Sequence, residues 1–126
     1  MKNLFALLGL IINLGLNSCT KDGVSAGGSR KVKYEITGNY TGSIIIGFTA
    51  SNNSLEIAEI NKFPWSLEMN ADANVKVVTF TGTGTGGMMG QKITGKIYVG
   101  DKEVAKGEGT AISSGIISFN PSLVTL

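Results

Sequence analysis

Histidine is absent from this 126-residue sequence, and cysteine occurs once. Without histidine, the chain lacks the most frequent general base, the commonest metal ligand and the usual pH switch. A single cysteine allows no internal disulfide, cysteine-rich zinc site or iron–sulfur cluster. Eleven basic and nine acidic residues leave a formal net charge of +2, too weak and scattered to indicate a nucleic-acid partner. We therefore predict a protein that is not an enzyme and holds no metal or cofactor.

Glycine is abundant, whereas proline and aromatic residues are scarce. The chain has 18 glycines and two prolines, and 7% of its residues are aromatic. Glycine is thus about twice as frequent as its typical ~7%. The length suits one domain of ordinary size. Together these figures predict a single, turn-rich β-domain.

The N-terminal segment has the pattern of a targeting signal. Residues 4–14 are almost wholly apolar, but a bilayer span needs ~20 such residues. Leu-Asn-Ser-Cys follows at residues 16–19 and resembles a bacterial lipobox. This pattern predicts a lipoprotein signal peptide over residues 1–18, with diacylglycerol and acyl chains such as palmitate attached at Cys19. The alternative is an ordinary signal peptide followed by an unmodified cysteine.

Lipidation sets the expected location of the protein. Two or three acyl chains anchor a protein stably, so we expect it in a bacterial cell envelope, bound to the membrane through Cys19. Thr20 stands where aspartate retains many lipoproteins in the inner membrane, which favours the outer membrane and leaves its face open. Residues 19–30 are rich in glycine and serine and predict a flexible linker.

Short strands separated by turn residues fill residues 31–126. Residues 31–37 alternate cleanly between apolar and polar side chains, which indicates a half-buried strand. Residues 44–46 are three isoleucines, which predict a strand buried on both faces. The pattern continues with turn signals every eight to twelve residues and predicts an all-β antiparallel sandwich of seven to eight strands. The predicted core comprises Tyr34, Ile44, Ile46, Phe48, Trp65, Val77, Ile97 and Val99.

Three short motifs resemble the MmpS-like domain. They are Val-Lys-Tyr-Glu-Ile-Thr-Gly at residues 32–38, Phe-Pro-Trp-Ser at 63–66, and Gly-Lys-Ile-Tyr-Val at 95–99. The resemblance covers roughly residues 31–119 and implies an immunoglobulin-like sandwich, in some members an accessory to large lipid or siderophore exporters. The family's paired cysteines are missing, with Gly95 where the first would stand. The anchor also resembles a lipid rather than a transmembrane helix.

A glycine-rich segment satisfies G-x-G-x-x-G at residues 82–87. That fingerprint binds a dinucleotide only where a helix opens behind it, and the following residues alternate like a strand. We therefore predict a flexible loop over Gly82 to Gly90 without a phosphate site. Met88 and Met89 end this loop and give a candidate contact for an apolar ligand or partner. The alternative, which we favour, is that one methionine folds back over the core.

Aromatic and acidic residues supply weaker candidates. Tyr40, Trp65 and Tyr98 are candidate stacking residues for a sugar or small ligand, although a single Trp is more often buried in a sandwich core. The carboxylate pairs Glu56/Glu59 and Glu68/Asp72 could serve glycoside hydrolysis. A solvated edge that discourages strand addition explains them as well.

These observations favour a non-enzymatic, lipid-anchored envelope module that contacts another envelope protein, with transport accessory as one such role. A surface module that binds glycans or small ligands is the second hypothesis. An inhibitor of a foreign enzyme is the third, and it needs a protruding loop, for which residues 82–90 are the candidate.

Overall fold

The computed structural model describes residues 30–126. The predicted signal peptide, the lipidation site at Cys19 and nearly all of the predicted linker lie outside the described residues. Among the described residues there is no helix, and therefore none long and apolar enough to cross a membrane. The ten strands of this part are β1 Lys31–Gly38, β2 Ser43–Thr49, β3 Leu55–Ile60, β4 Trp65–Asn70, β5 Val77–Val78, β6 Phe80–Thr85, β7 Lys92–Val99, β8 Lys102–Thr110, β9 Ile117–Phe119 and β10 Val124–Thr125.

The strands form two four-stranded antiparallel sheets and one short pair. Sheet A has the order β4-β1-β7-β8, sheet B has the order β3-β2-β6-β9, and β5 pairs with β10. The fold class predicted from the sequence is thus confirmed as an all-β, antiparallel, sandwich-like domain. The eight strands of sheets A and B match the predicted number, and β5 and β10 are additional.

The core lies between the inner faces of sheets A and B. On β1, Val32, Tyr34 and Ile36 alternate inward and are fully buried, because residues of a strand point to opposite faces in turn. An aromatic cluster joins the sheets: the Tyr34 ring lies 5.0 Å from that of Phe80 on β6, which lies 5.1 Å from that of Phe119 on β9. This packing holds the two sheets face to face.

Glycines allow this packing where the chain comes closest to an aromatic ring. A Cβ at Gly82 on β6 would lie 2.5 Å from the Phe119 ring. A Cβ at Gly95 on β7 would clash with the same ring from the other sheet. The prediction of a flexible loop from Gly82 is therefore wrong up to Thr85, since β6 runs to that residue and buries its glycines.

Four predictions about the core need correction. Val77 is 40% exposed, and Val78 takes the buried position instead. Trp65 and Val99 are only half-buried, at the margin of the core. The isoleucine run of β2 is not buried on both faces, because Ile45 points outward from sheet B.

The outer faces of the two sheets differ in charge, and we name them for that difference. On the charged face, the outer side of sheet A, the outward positions include Lys31, Lys33, Glu35, Glu68, Lys92, Lys96, Tyr98, Glu103, Lys106 and Glu108. On the neutral face, the outer side of sheet B, they are Ser43, Ile45, Gly47, Leu55, Ile57, Glu59, Thr81, Thr83, Thr85 and Ser118.

Candidate functional site: an apolar tip at one end of the sandwich

The two ends of the sandwich carry different loops. β1 starts at Lys31, next to the segment that precedes the domain, and ends at Gly38. Its eight residues at ~3.3 Å each separate the two ends by about 25 Å. We call the end near Lys31 the tether end and the opposite one the distal end. The antiparallel registers place the loops 39–42, 61–64, 86–91 and 111–116 at the distal end.

Arg30 fixes the chain where it enters the domain. Its guanidinium donates hydrogen bonds to the carbonyl oxygens of Asp72 and, at 2.7 Å, Val75. The Ala71 amide donates to the Arg30 carbonyl at 2.7 Å. The described chain therefore enters the sandwich at the tether end, where the β4–β5 loop holds Arg30.

Tyr40 organises the distal loops from within. Its side chain is 4% exposed, its hydroxyl donates to the Gly115 carbonyl, and the Gly87 amide donates to that hydroxyl at 3.3 Å. The prediction that Tyr40 contacts a ligand is therefore corrected, because its ring faces the core and its hydroxyl is already bonded. Tyr40 instead ties the loops 39–42, 86–91 and 111–116 together.

Gln91 supplies a second set of connections. Its Oε1 accepts hydrogen bonds from the Thr41 amide at 3.1 Å, the Thr41 hydroxyl at 3.1 Å and the Met88 amide at 2.9 Å. The Gly90 amide donates to the Ala111 carbonyl at 2.9 Å. These bonds cross-link the same three loops through the Gln91 side chain and backbone groups, and such support pre-organises a surface for binding.

Exposed apolar side chains cover these linked loops. Met88 and Met89 are 66% and 69% exposed, so neither folds back over the core, contrary to our favoured reading of the sequence. Ile112 and Ile116 are exposed on the adjoining loop, where Gly115 adopts φ +84° against the backbone of Gly87. We call Met88, Met89, Ile112 and Ile116 the apolar tip.

The apolar tip carries no charge of its own. The loops 39–42, 86–91 and 111–116 read Asn-Tyr-Thr-Gly, Gly-Gly-Met-Met-Gly-Gln and Ala-Ile-Ser-Ser-Gly-Ile. Exposed apolar clusters on a small domain commonly mark a contact with a protein or membrane, and methionine adapts its shape to such contacts. Chemically, this tip suits an apolar groove rather than an ion.

Trp65 and Tyr98 lie elsewhere and do not join Tyr40. Trp65 starts β4 half-buried, with its ring 6.4 Å from that of Phe48. Tyr98 lies on the charged face, where its hydroxyl donates to Glu35 at 3.0 Å and Lys33 Nζ sits 4.5 Å over its ring. Burial and the Glu35 carboxylate raise the pKa of Tyr98. The three aromatics therefore form no common stacking platform.

Three of the carboxylates in the predicted pairs lie near or opposite residues other than a second carboxylate: Glu56, Glu59 and Glu68. Glu68 lies 3.9 Å from Lys31 on the charged face. Glu56 and Glu59 lie on β3, with Glu56 opposite Phe48 and Glu59 opposite Ile45 in the register with β2. Within residues 30–126 there is no cluster of three or more potential metal-ligating side chains and no cavity.

Sequence reasoning found Met88 and Met89 but missed Ile112, Ile116 and the supporting role of Gln91. In the sequence, only Ser113, Ser114 and Gly115 mark the segment that carries these isoleucines as a loop. Their proximity to Met88 is a product of the topology.

No protein-family model and no curated protein matches this chain.

Proposed function

We propose that this protein is a lipid-anchored module of the bacterial cell envelope that binds another envelope protein through the apolar tip. The observation that carries the proposal is the tip itself: four exposed apolar side chains on three loops that Tyr40 and Gln91 hold together. The hydrogen bonds of Tyr40 and Gln91 fix the loops and so present the four apolar side chains on a pre-organised surface. The proposal treats the protein as non-enzymatic, because the tip offers shape and apolar surface rather than reactive groups.

Support for the anchor comes from the sequence, namely the lipobox-like residues 16–19 ahead of the domain. We propose the outer membrane as its location, because Thr20 stands where aspartate retains many lipoproteins in the inner membrane. The structure adds that Arg30 and the apolar tip lie at opposite ends of the sandwich. An anchor at the tether end leaves the tip free to meet a partner.

The MmpS-like resemblance suggests what kind of partner this is. It extends the proposal to an accessory role beside an envelope transporter. The glycan-binding alternative loses its main support, because Tyr40 is buried and Trp65 and Tyr98 lie apart. The inhibitor alternative would use the same surface, since Met88 and Met89 of its candidate loop are exposed there.

Site-specific photo-crosslinking in intact cells tests the proposal. A photoreactive amino acid replaces Met89 in the full chain, and the matched control replaces Leu123, which is 68% exposed against 69% for Met89 but lies near the tether end. We expect a discrete protein adduct from position 89 and none from position 123. Identical adducts at both positions, or adducts with lipid alone at position 89, would contradict the proposal.

The double variant Met88→Ser/Met89→Ser provides the second arm. We expect it to lose the partner that co-purifies with the wild-type chain, because the apolar contact is gone. Its thermal unfolding should match that of the wild type, since exposed side chains contribute little to stability. Loss of the partner together with loss of the fold would show only that the loops are structural.

A further inference from the structure

Strand β3 forms one edge of sheet B. The sheet has the order β3-β2-β6-β9, and in the described part of the chain β2 is the only strand that pairs with β3. An edge strand exposes a row of unpaired backbone groups that can template pairing with another strand. The residues of β3 that carry these groups can be identified from the hydrogen-bond alternation of the sheet.

The hairpin between β2 and β3 sets that alternation. The Ala50 amide donates to the Ser54 carbonyl at 2.8 Å, so these two residues form a hydrogen-bonded pair. In antiparallel sheets such pairs alternate with non-hydrogen-bonded pairs. Glu56, Ala58 and Ile60 therefore bond to β2. The intervening residues of β3 direct their N–H and C=O groups away from β2, and they are Leu55, Ile57 and Glu59.

The same three residues place their side chains on the neutral face. Leu55 and Ile57 are 65% and 64% exposed. The space above Gly47 of β2 is covered by these two side chains, whose Cδ1 atoms come within 3.8 Å of the Cβ that Gly47 lacks. Ile45, exposed on β2, extends this apolar area along the sheet. The open edge and the exposed apolar side chains thus coincide.

The strand is complementary to itself in one antiparallel register. When Ile57 lies opposite Ile57 of a second copy, Leu55 lies opposite Glu59, and all three edge-facing residues find edge-facing partners. Each such pair exchanges two backbone hydrogen bonds. Glu56 then faces Ala58, so no two glutamates are directly opposed.

The neighbouring antiparallel registers of two β3 strands are less favourable than the one centred on Ile57. A shift that places Leu55 opposite Ile57 brings Glu56 opposite Glu56, and directly opposed like charges destabilise a sheet. A shift that places Ile57 opposite Glu59 leaves Leu55 without a partner. A shift by a single residue would put the outward side chains of one copy on the inner side of the other. The glutamates, which we first interpreted as a barrier to strand addition, select one register.

We propose that β3 is a homodimerisation edge, in which two copies of this chain pair antiparallel about a two-fold axis at Ile57. The two neutral faces then join into one, with Leu55 and Ile57 of both copies adjoining at the seam and Glu59 of each copy lying between its own Ile45 and Leu55 of the other copy. A two-fold interface uses the same patch on both subunits, which this register satisfies. Strands β2 and β6 lie between β3 and the loop 86–91, so the apolar tip stays uncovered in the dimer.

Disulfide trapping in the membranes of cells that express the full chain tests the register. Residues in a hydrogen-bonded antiparallel pair have Cα atoms ~5.5 Å apart, within the range that a disulfide spans. We expect Ile57→Cys to form a disulfide-linked dimer on oxidation. Glu56→Cys and Thr83→Cys, with Thr83 exposed on the same face of β6, should stay monomeric, as should the wild-type chain.

Sedimentation of the purified full chain in detergent tests the association itself. The wild-type chain should have the mass of a dimer, and Ile57→Lys, which places two like charges at the two-fold axis, should have that of a monomer. Thermal unfolding of diluted Ile57→Lys should match that of the diluted wild type, because Ile57 is exposed in one copy. A wild-type monomer, equal trapping at Glu56→Cys, or trapping of Ile57→Cys to a different protein would overturn the proposal.

Discussion

The outer faces of the two sheets differ sharply although their inner faces are built alike. Both inner faces present branched aliphatic and aromatic side chains, such as Ile36 and Ile97 on sheet A and Ile46 and Phe80 on sheet B. Outside, sheet A carries lysine–glutamate neighbours and sheet B carries threonine, serine and isoleucine, with Glu59 as its one charge. The demands of packing explain the inner faces and leave the outer ones free.

This difference shows where the sequence serves something other than the fold. A charged outer face keeps a sandwich soluble and discourages association, and sheet A follows that rule. Sheet B does not, although threonine at Ile45 and Ile57 would fit the same strands. Its exposed isoleucines cluster at the open edge of β3, and we relate them to the pairing of two copies.

The largest effect we expect comes from comparing an inner with an outer isoleucine. Ile97 is fully buried opposite Tyr34, whereas Ile45 is 55% exposed on the neutral face. Ile97→Ala should lower the free energy of unfolding by ~2–5 kcal/mol through lost burial and a cavity. Ile45→Ala should change it by about 0.5 kcal/mol or less. Urea denaturation measures both.

Equal losses in the two variants would break the comparison, because Ile45 would then be supporting the fold rather than lying free on its surface. A loss below ~1 kcal/mol for Ile97→Ala would mean that the inner face of β7 is not the packed layer described here.

The sequence predicted β1 well and sheet B poorly, and the reason is physical. The alternation in residues 31–37 predicts a strand with one solvent-exposed face, and β1 has this arrangement. The isoleucine run of β2 predicts burial on both sides, but a run of apolar residues does not tell whether anything covers the second face. In sheet B nothing among the described residues covers it.

Gly82 and the apolar tip also show that local sequence does not reveal contacts between distant segments. Gly82 looked like part of a flexible loop because the ring that excludes a side chain there belongs to Phe119, 37 positions away. The apolar tip unites Met88 with Ile112, and the pairings of β7 with β8 and of β6 with β9 bring these loops together. Local pattern identifies strands and candidate residues, whereas contacts between distant segments decide what those residues do.

We expect a smaller loss of stability from removing the hydrogen bond that links the two sheets. Tyr34 on β1 is fully buried, and its hydroxyl donates to the Thr49 carbonyl on β2 at 2.6 Å. Tyr34→Phe should cost ~1–3 kcal/mol at neutral pH, because the carbonyl loses its partner inside the protein. Tyr98→Phe on the charged face is the matched control, and it should cost less since Tyr98 is partly in water.

The pH dependence of stability sharpens this test. Burial raises the pKa of Tyr34 above its ordinary value of 10.0. A group whose pKa is raised by folding contributes fully below its unfolded pKa, and that contribution is lost as the pH rises. Above about pH 10, the wild type should therefore lose up to ~1.4 kcal/mol per pH unit more than Tyr34→Phe does. Parallel pH profiles would show instead that the phenol is not buried.

The smallest effect is expected on the charged face. Lys31 Nζ lies 2.8 Å from Asp101 Oδ1, and the Lys31 ammonium lowers the pKa of Asp101. The Asp101 side chain is 78% exposed, and its backbone has φ 72°, a conformation that asparagine also tolerates. Asp101→Asn should therefore remove the charge without straining the turn. We expect no resolvable change in the urea midpoint near 0.15 M salt, because exposed ion pairs contribute little.

The dependence of stability on salt and pH distinguishes a weak Lys31–Asp101 ion pair from no interaction at all. Any stabilisation should appear only at ~0.01 M salt, where charges interact over ~30 Å, and vanish near ~1 M, where screening acts within ~3 Å. Because the pKa of Asp101 is lowered on folding, its contribution should also fade as the pH drops through the carboxylate range. A clear loss of stability in Asp101→Asn at ~1 M salt, where such charges are screened, would mean that Asp101 supports the β7–β8 turn through contacts other than its charge.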